Sequence, residues 1–222
     1  MKSVFFLVND KEEFNFSDYI EKYLKKISIT VDTKLPKNSE SFNLIVLWNY
    51  KKIIPNISNY ENVVVFHGSD LPKGKGWAPI YHAIADNHSH YVLSGIIPND
   101  NVDEGDIIVK AKFMIKQNYT AKILREFDNE ISFILIKKIL ERFNSKIKGK
   151  KQSGKGTFFK RRFLEDNEIN FNSNISKVFN HLRACENSHP AFFYYEDTKF
   201  LIKIEPEKQP SFPEDIEYEF FS

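Results

Sequence analysis

Hydrophobic positions fall into short continuous runs separated by polar segments, and this pattern sets the first expectations. Val4-Phe-Phe-Leu-Val8 is an unbroken apolar run closed by Asn9-Asp10, which predicts a strand buried on both faces. Phe16, Ile20, Tyr23, Leu24 and Ile27 then recur at helical spacing behind Ser17, a good N-cap residue. Ile29-Thr-Val31, Leu44 to Trp48 and Val63 to Phe66 predict three further strands. Buried strands alternating with helices predict a parallel sheet with helices packed on it.

Beyond Phe66 the chain becomes irregular. His67-Gly-Ser-Asp-Leu-Pro-Lys-Gly-Lys-Gly-Trp-Ala-Pro79 precedes a short helix expected over Ala78 to Asp86, with Pro79 in its first turn. Tyr91 to Pro98 and Ile107 to Ile115 predict paired strands joined by the Asn/Asp-rich loop 99–106. Thr120 to Phe143 predicts a long amphipathic helix carrying Ile123, Phe127, Ile131, Leu135 and Ile139 on one side. Between Glu141 and Glu165 stand nine Lys or Arg and no acid, the composition of a linker or exposed loop. A helix around Ser173 to Cys185 and a hairpin of Ala191–Tyr195 with Lys199–Ile204 follow. Six acids, three prolines and Lys208 between Glu205 and Ser222 predict an extended surface tail.

The expected fold is therefore α/β: a Rossmann-like, mostly parallel sheet with flanking helices, plus a small C-terminal helix and β-hairpin. The expected division is a catalytic unit over 1–143, a basic linker over 144–163 and a C-terminal region over 164–222. Composition narrows the function classes. Glycine is scarce, with 8 in 222 residues and none before Gly68, so no glycine fingerprint for a dinucleotide follows the first strand. A formal charge of +2 gives no global field for nucleic acid. The single cysteine, Cys185, cannot form an intramolecular disulfide. No apolar run approaches a membrane span, and the N-terminal apolar run is short for a signal peptide, so a cytoplasmic protein without membrane partners is expected.

Chemistry concentrates after the fourth predicted strand. Ligands of open parallel sheets bind at the carboxyl ends of the strands, where His67 should stand. Asp103, in the loop between two later strands, can pair with it and supply a proton-transfer group near neutral pH. From the pattern alone, a histidine at a strand end is more often simply solvated or hydrogen-bonded.

Two motifs add a resemblance. The run from His67 to Pro79 is similar to the His-x-Ser-x-Leu-Pro-x-x-x-Gly-x-x-Pro motif of 10-formyltetrahydrofolate-dependent formyltransferases. Asn101-Val-Asp-Glu-Gly-Asp-Ile-Ile108 resembles the Asp-x-Gly-x-Ile motif that follows it. Downstream, Lys160 to Ile169 and the segments around Leu182 and His189 resemble the C-terminal regions of nucleotide-sugar N-formyltransferases and methionyl-tRNA formyltransferase. The resemblance implies His67 and Asp103 as catalytic residues, 10-formyltetrahydrofolate as co-substrate without a metal, and Ser69, Leu71, Pro72 and Gly105 in its binding. Trp77, Tyr81, Lys73 and Lys75 are implied on the acceptor side. The implied acceptor is an amino sugar linked to a nucleotide diphosphate, for surface polysaccharide such as lipopolysaccharide O-antigen, with no nucleic-acid partner. By the same analogy the C-terminal sheet elements suggest a homodimer.

The chain departs from the family pattern at one place. The family's catalytic Asn, two positions before the His, is here Val65. Loss of one oxyanion donor typically costs about 100- to 1000-fold in rate, so Asn9, Asn49 or Ser69 is a candidate substitute. His67 with backbone N–H groups is a second solution, a slow or inactive enzyme a third, and an active variant is the favoured reading. Methionyl-tRNA formyltransferase is the alternative within the family, opposed by the acidic tail; a non-catalytic module on the same fold is the alternative outside it. Two further patterns are set aside. His82, His88 and His90 lack the companions of a zinc site. Gly149 to Gly156 nearly spells a phosphate-binding loop, but Gly156 stands where a Ser or Thr should hold magnesium.

Overall fold

The computed structural model describes residues 1–143 and 145–221. In chain order the described elements are β1 (Ser3–Leu7), α1 (Ser17–Leu24), β2 (Ser28–Asp32), β3 (Leu44–Leu47), β4 (Val63–His67), the two-residue β5 (Lys75–Gly76), α2 (Pro79–Ala85), β6 (His90–Ile97) and β7 (Asp106–Met114). They continue with α3 (Ala121–Arg142), the two-residue β8 (Phe158–Phe159), α4 (Ile175–Ala184), β9 (Ala191–Tyr195), β10 (Thr198–Ile202) and β11 (Glu217–Phe220). Seven strands form one sheet in the order β11-β7-β6-β4-β3-β1-β2. It is parallel from β2 to β4 and antiparallel from β4 to β11. The α/β Rossmann-like class stands as expected, as do the β6–β7 pair and the β9–β10 hairpin.

The sheet has unequal faces. Val4, Phe6, Val46 and Val64 point to the face covered by the helices, where Ile123, Ile131, Leu135 and Ile139 of α3 complete the main core. Thr120 caps α3 by accepting from the Ile123 amide, which starts the helix where its apolar stripe begins. Phe5, Leu7, Ile45, Leu47 and Val63 point the other way, onto Leu35, Phe42, Ile54, Ile57 and Tyr60 of short loops and turns. That second face carries a thinner cover, and a cleft opens there.

Two segments differ from expectation. The 205–221 stretch ends not as an extended surface tail but as edge strand β11. Its alternation is the reason: Tyr218 and Phe220 pack on the core, while Glu217 and Glu219 stand opposite Lys112 and Lys110 of β7. Phe212 adds an edge-to-face contact with Phe127 at 5.6 Å. The basic segment expected as a linker from position 144, a residue outside those described, is pinned along its length. Ile147 donates to the Asn62 side chain at 2.9 Å, Lys150 exchanges two 2.8 Å backbone bonds with Ile107, and β8 pairs with β5.

Candidate active site

His67 closes β4 and is buried between two acceptors. Its Nε2 lies 2.8 Å from the Gly74 carbonyl and its Nδ1 lies 3.5 Å from Asp103 Oδ2. The same carboxylate oxygen accepts the Gly76 amide at 2.8 Å, so Asp103 ties the histidine and the 68–76 loop together. A neutral imidazole carries one proton and serves only one of its two acceptors at a time. The geometry thus suits a group that gains and loses a proton in place.

How Asp103 reaches His67 follows from the strand register. Because β6 runs antiparallel to β4, with Val65 opposite Ile96, its following loop emerges beside the start of β4 rather than its end. The loop must double back across the thinly covered face. Gly105 makes the reversal possible, since a β-carbon there would stand 1.8 Å from the Ile97 carbonyl oxygen. Asp103 itself adopts φ 53°. Gln152 of the basic segment holds the reversed loop by donating to the carbonyls of Asp103 and Gly105 at 2.8 and 2.9 Å.

Behind the histidine lies a buried pair. Tyr91 donates its hydroxyl proton to Asp128 at 2.6 Å, and burial raises the Asp128 pKa while the tyrosine bond, Arg125 and His67 pull it back. A β-carbon on Gly68 would sit 2.1 Å from the Tyr91 hydroxyl, so the histidine loop approaches this pair as closely as glycine allows.

Beside Asp103 a cleft of about 170 Å³ opens over Leu47, Ile54, Ile57 and Val65, rimmed by the 98–103 loop. Its floor is apolar and its rim carries Lys51, Lys52, Asn99, Asp100 and Asn101, a composition suited to a flat ring with a polar edge. Val65 lines this cleft. Of the candidate substitutes for its missing amide, Asn9 is committed to Asn49 O and the Lys51 amide, and Ser69 donates to Lys73 O at 2.8 Å. Asn49 contributes its carbonyl to Asn9. Asn101, which the sequence offers only as the first residue of the second motif and with no role of its own, lines the same cleft as Val65 and Asp103 and makes no side-chain hydrogen bond to a described residue. Only the folding-back of its loop brings it there.

The other sequence-derived residues occupy varied places. Leu71 is buried against Ile96 and Ile107, Pro72 and Lys73 border a cavity on the far side of the histidine loop, and Gly105 serves the reversal described above. None of these, nor Ser69, lines the apolar cleft. Lys75 is buried and paired with Glu104 at 2.8 Å. Trp77 is 48% exposed beneath the Arg161 guanidinium at 4.9 Å. Tyr81 carries Arg162 over its ring at 3.1 Å and bonds His181 at 2.9 Å. Arg183 is buried and donates to the Tyr119 carbonyl and Asn180. His82 stacks on Phe159 at 4.1 Å, and among the described residues no three His, Cys, Asp or Glu gather as a metal set. No helix of the described residues is long and apolar enough to cross a membrane.

The histidine–aspartate pair and the two motifs that carry it lie within a stretch that matches a known family. Residues 17–132 match the family model described as formyl transferase. The chain belongs to the formyl transferase family. A methionyl-tRNA formyltransferase from Thermodesulfovibrio yellowstonii is 27% identical over 181 residues, covering 78% of this chain and 57% of that protein. The chain therefore spans little more than half the length of that curated relative. Among solved structures, a sugar N-formyltransferase from a Shewanella species superposes with a TM-score of 0.69 at 18% identity, covering 94% of this chain and 99% of the other. HypX from Aquifex aeolicus in complex with tetrahydrofolic acid superposes with a TM-score of 0.68 at 16% identity, covering 96% and 40%. These two likenesses establish the shared formyl transferase fold.

Proposed function

We propose that the protein is an N-formyltransferase that moves the formyl group of 10-formyltetrahydrofolate onto the amine of a nucleotide-linked amino sugar. The observation that carries the reading is the His67–Asp103 pair beside an apolar cleft, on a formyl transferase fold. In the reaction the acceptor nitrogen attacks the formyl carbon, the carbon–N10 bond of the folate breaks, and a proton passes from the amine to N10. His67 relays that proton, and Asp103 orients the ring and stabilises its protonated form. The cleft over Leu47, Ile54 and Val65 takes the pteridine ring, its rim supplying the polar contacts. Asn101 is the amide positioned to donate to the oxyanion in place of the residue that Val65 displaces.

The likeness to a sugar N-formyltransferase over 99% of that chain supports the sugar acceptor, and the tetrahydrofolate bound to HypX supports the donor. The carboxylates of 205–221 stand against an extended RNA backbone. A tRNA-linked amine is the second reading, favoured by the relative named methionyl-tRNA formyltransferase. Both are tested in one assay. The protein is given 10-formyltetrahydrofolate with a panel of amino-sugar nucleotides or with methionyl-tRNA, and formylated product is measured by mass spectrometry. The proposal requires product on an amino-sugar nucleotide and a loss of about 100- to 10,000-fold in kcat for His67→Asn. Transfer only to methionyl-tRNA, or unchanged transfer by His67→Asn, overturns it.

A further inference from the structure

The near-phosphate-loop sequence Gly149 to Gly156 was set aside as a magnesium-nucleotide site, yet the structure gives it a definite shape. Its ends are anchored: the Lys150 backbone is bonded twice to Ile107 at 2.8 Å, and Thr157 donates its amide to the Pro72 carbonyl at 3.2 Å while its hydroxyl accepts the Gly74 amide at 2.9 Å. Gln152 is fixed between the carbonyls of Asp103 and Gly105. Between these anchors the chain arches outward through Gly154, at φ 96°, with nothing within 4 Å of where its β-carbon would be. Under the arch lies a cavity of about 220 Å³ bordered by Lys73, Lys110, Lys150, Lys151, Ser153 and Lys155.

Charge in this cavity is one-sided. Its one carboxylate, Asp70, is paired with Lys110 at 2.5 Å, and Lys110 also donates to the Leu71 carbonyl at 2.8 Å. Lys73, Lys150, Lys151 and Lys155 have no ion-pair partner among the described residues. Four like charges gathered around one concavity repel one another unless an anion joins them. Lysine ammonium groups on flexible stems suit phosphate as point charges. The volume holds one or two phosphate groups and not a nucleoside besides. Glu217 and Glu219 stand opposite Lys112 and Lys110 on the neighbouring strands, which disfavours a polyanion running on past the cavity.

The walls of the cavity are linked through the chain to the candidate pair. Lys73 directly precedes Gly74, whose carbonyl meets His67 Nε2 at 2.8 Å, and Gln152 spans from the arch to Asp103. We propose that this lysine-lined cavity under the 150–156 arch binds the diphosphate of a nucleoside diphosphate and so anchors the acceptor by its phosphates. The proposal rests on the sugar-nucleotide reading of the acceptor. It assigns the basic segment a binding task separate from formyl transfer.

The test measures binding alone. Inorganic pyrophosphate, UDP, a polyglutamylated folate and tRNA are titrated by calorimetry into the wild-type protein, the Lys151→Gln/Lys155→Gln double variant and His67→Asn, with thermal melts to show that each folds. Expected are binding of pyrophosphate and UDP to the wild type and to His67→Asn, a loss of about tenfold or more in affinity for the double variant, and weakening with added salt. Such binding together with no formyl transfer to any sugar nucleotide upholds the anion site while removing the sugar reading. Equal pyrophosphate affinity in wild type and double variant overturns the proposal. So does a double variant that loses affinity only for a polyglutamylated folate or only for tRNA, since the lysines then serve carboxylates or an RNA backbone.

Discussion

Gly68→Ala combined with Tyr91→Phe tests the packing behind the histidine. A methyl on Gly68 would stand 2.1 Å from the Tyr91 hydroxyl and 3.0 Å from its Cζ, so Tyr91 must swing away. That motion breaks its 2.6 Å bond to the buried Asp128. Overpacking costs about 1–3 kcal/mol, and stranding the buried carboxyl costs about 1–3 kcal/mol more, so Gly68→Ala alone should lose roughly 2–6 kcal/mol. Tyr91→Phe alone strands the carboxyl without the clash and should lose about 1–3 kcal/mol. In the double variant the oxygen is gone and the carboxyl penalty is counted once. Gly68→Ala then adds less than about 1 kcal/mol to the Tyr91→Phe protein, a coupling of at least about 1 kcal/mol. Urea unfolding of the four proteins at constant m-value measures this cycle. Additivity within about 0.5 kcal/mol would refute the claim that Gly68 is kept free of a side chain by Tyr91.

Three further outcomes follow from the same geometry. Burial raises the Asp128 pKa above its ordinary 3.8, so the folded state binds its proton more tightly than the unfolded chain. Stability from this group is full below the ordinary value and is lost as pH rises through the raised one; Asp128→Asn, which still accepts from Tyr91, should flatten that slope in urea midpoints taken across the acid-to-neutral range. Asn101→Ala should lower formyl transfer by about 100-fold or more with little change in the melting temperature; an unchanged kcat would remove Asn101 as the oxyanion donor. Gln152→Ala releases the Asp103 loop, so transfer should fall and proteolytic cutting within 98–105 should rise, whereas an unchanged cutting pattern would show that the loop holds itself.

Much of this architecture was legible because it is local. A run such as Val63 to Phe66 marks a buried strand whichever neighbours it has, and it places His67 at the strand end. The spacing of Ile123, Phe127 and Ile131 together with the Thr120 cap defines α3 from contacts within a few residues. The turn at Glu196, with φ 51°, joins two apolar segments only a few residues apart. The His67 and Asp103 motifs were visible as residue types at a set separation.

What the sequence left undecided depends on partners far along the chain. Asp103 meets His67 only because the β6–β7 loop doubles back, and a glutamine 49 residues later holds it there. Asn101 enters the cleft by the same reversal. The segment read as a basic linker is a strap, since Lys150, Gln152 and Thr157 find backbone partners up to 85 residues earlier. The acidic tail becomes β11 because Tyr218 and Phe220 pack on the core while Glu217 and Glu219 fall in register opposite Lys112 and Lys110 of β7. Periodicity reports which face of an element is apolar. The identity of the face it meets, and the hydrogen bonds that seal loops over it, are settled only when distant segments are brought together. Local pattern thus determined most of the strands, the helices and the two residues of the candidate His67–Asp103 pair, while tertiary packing decided how that pair is joined, what lines its cleft and where the lysines gather.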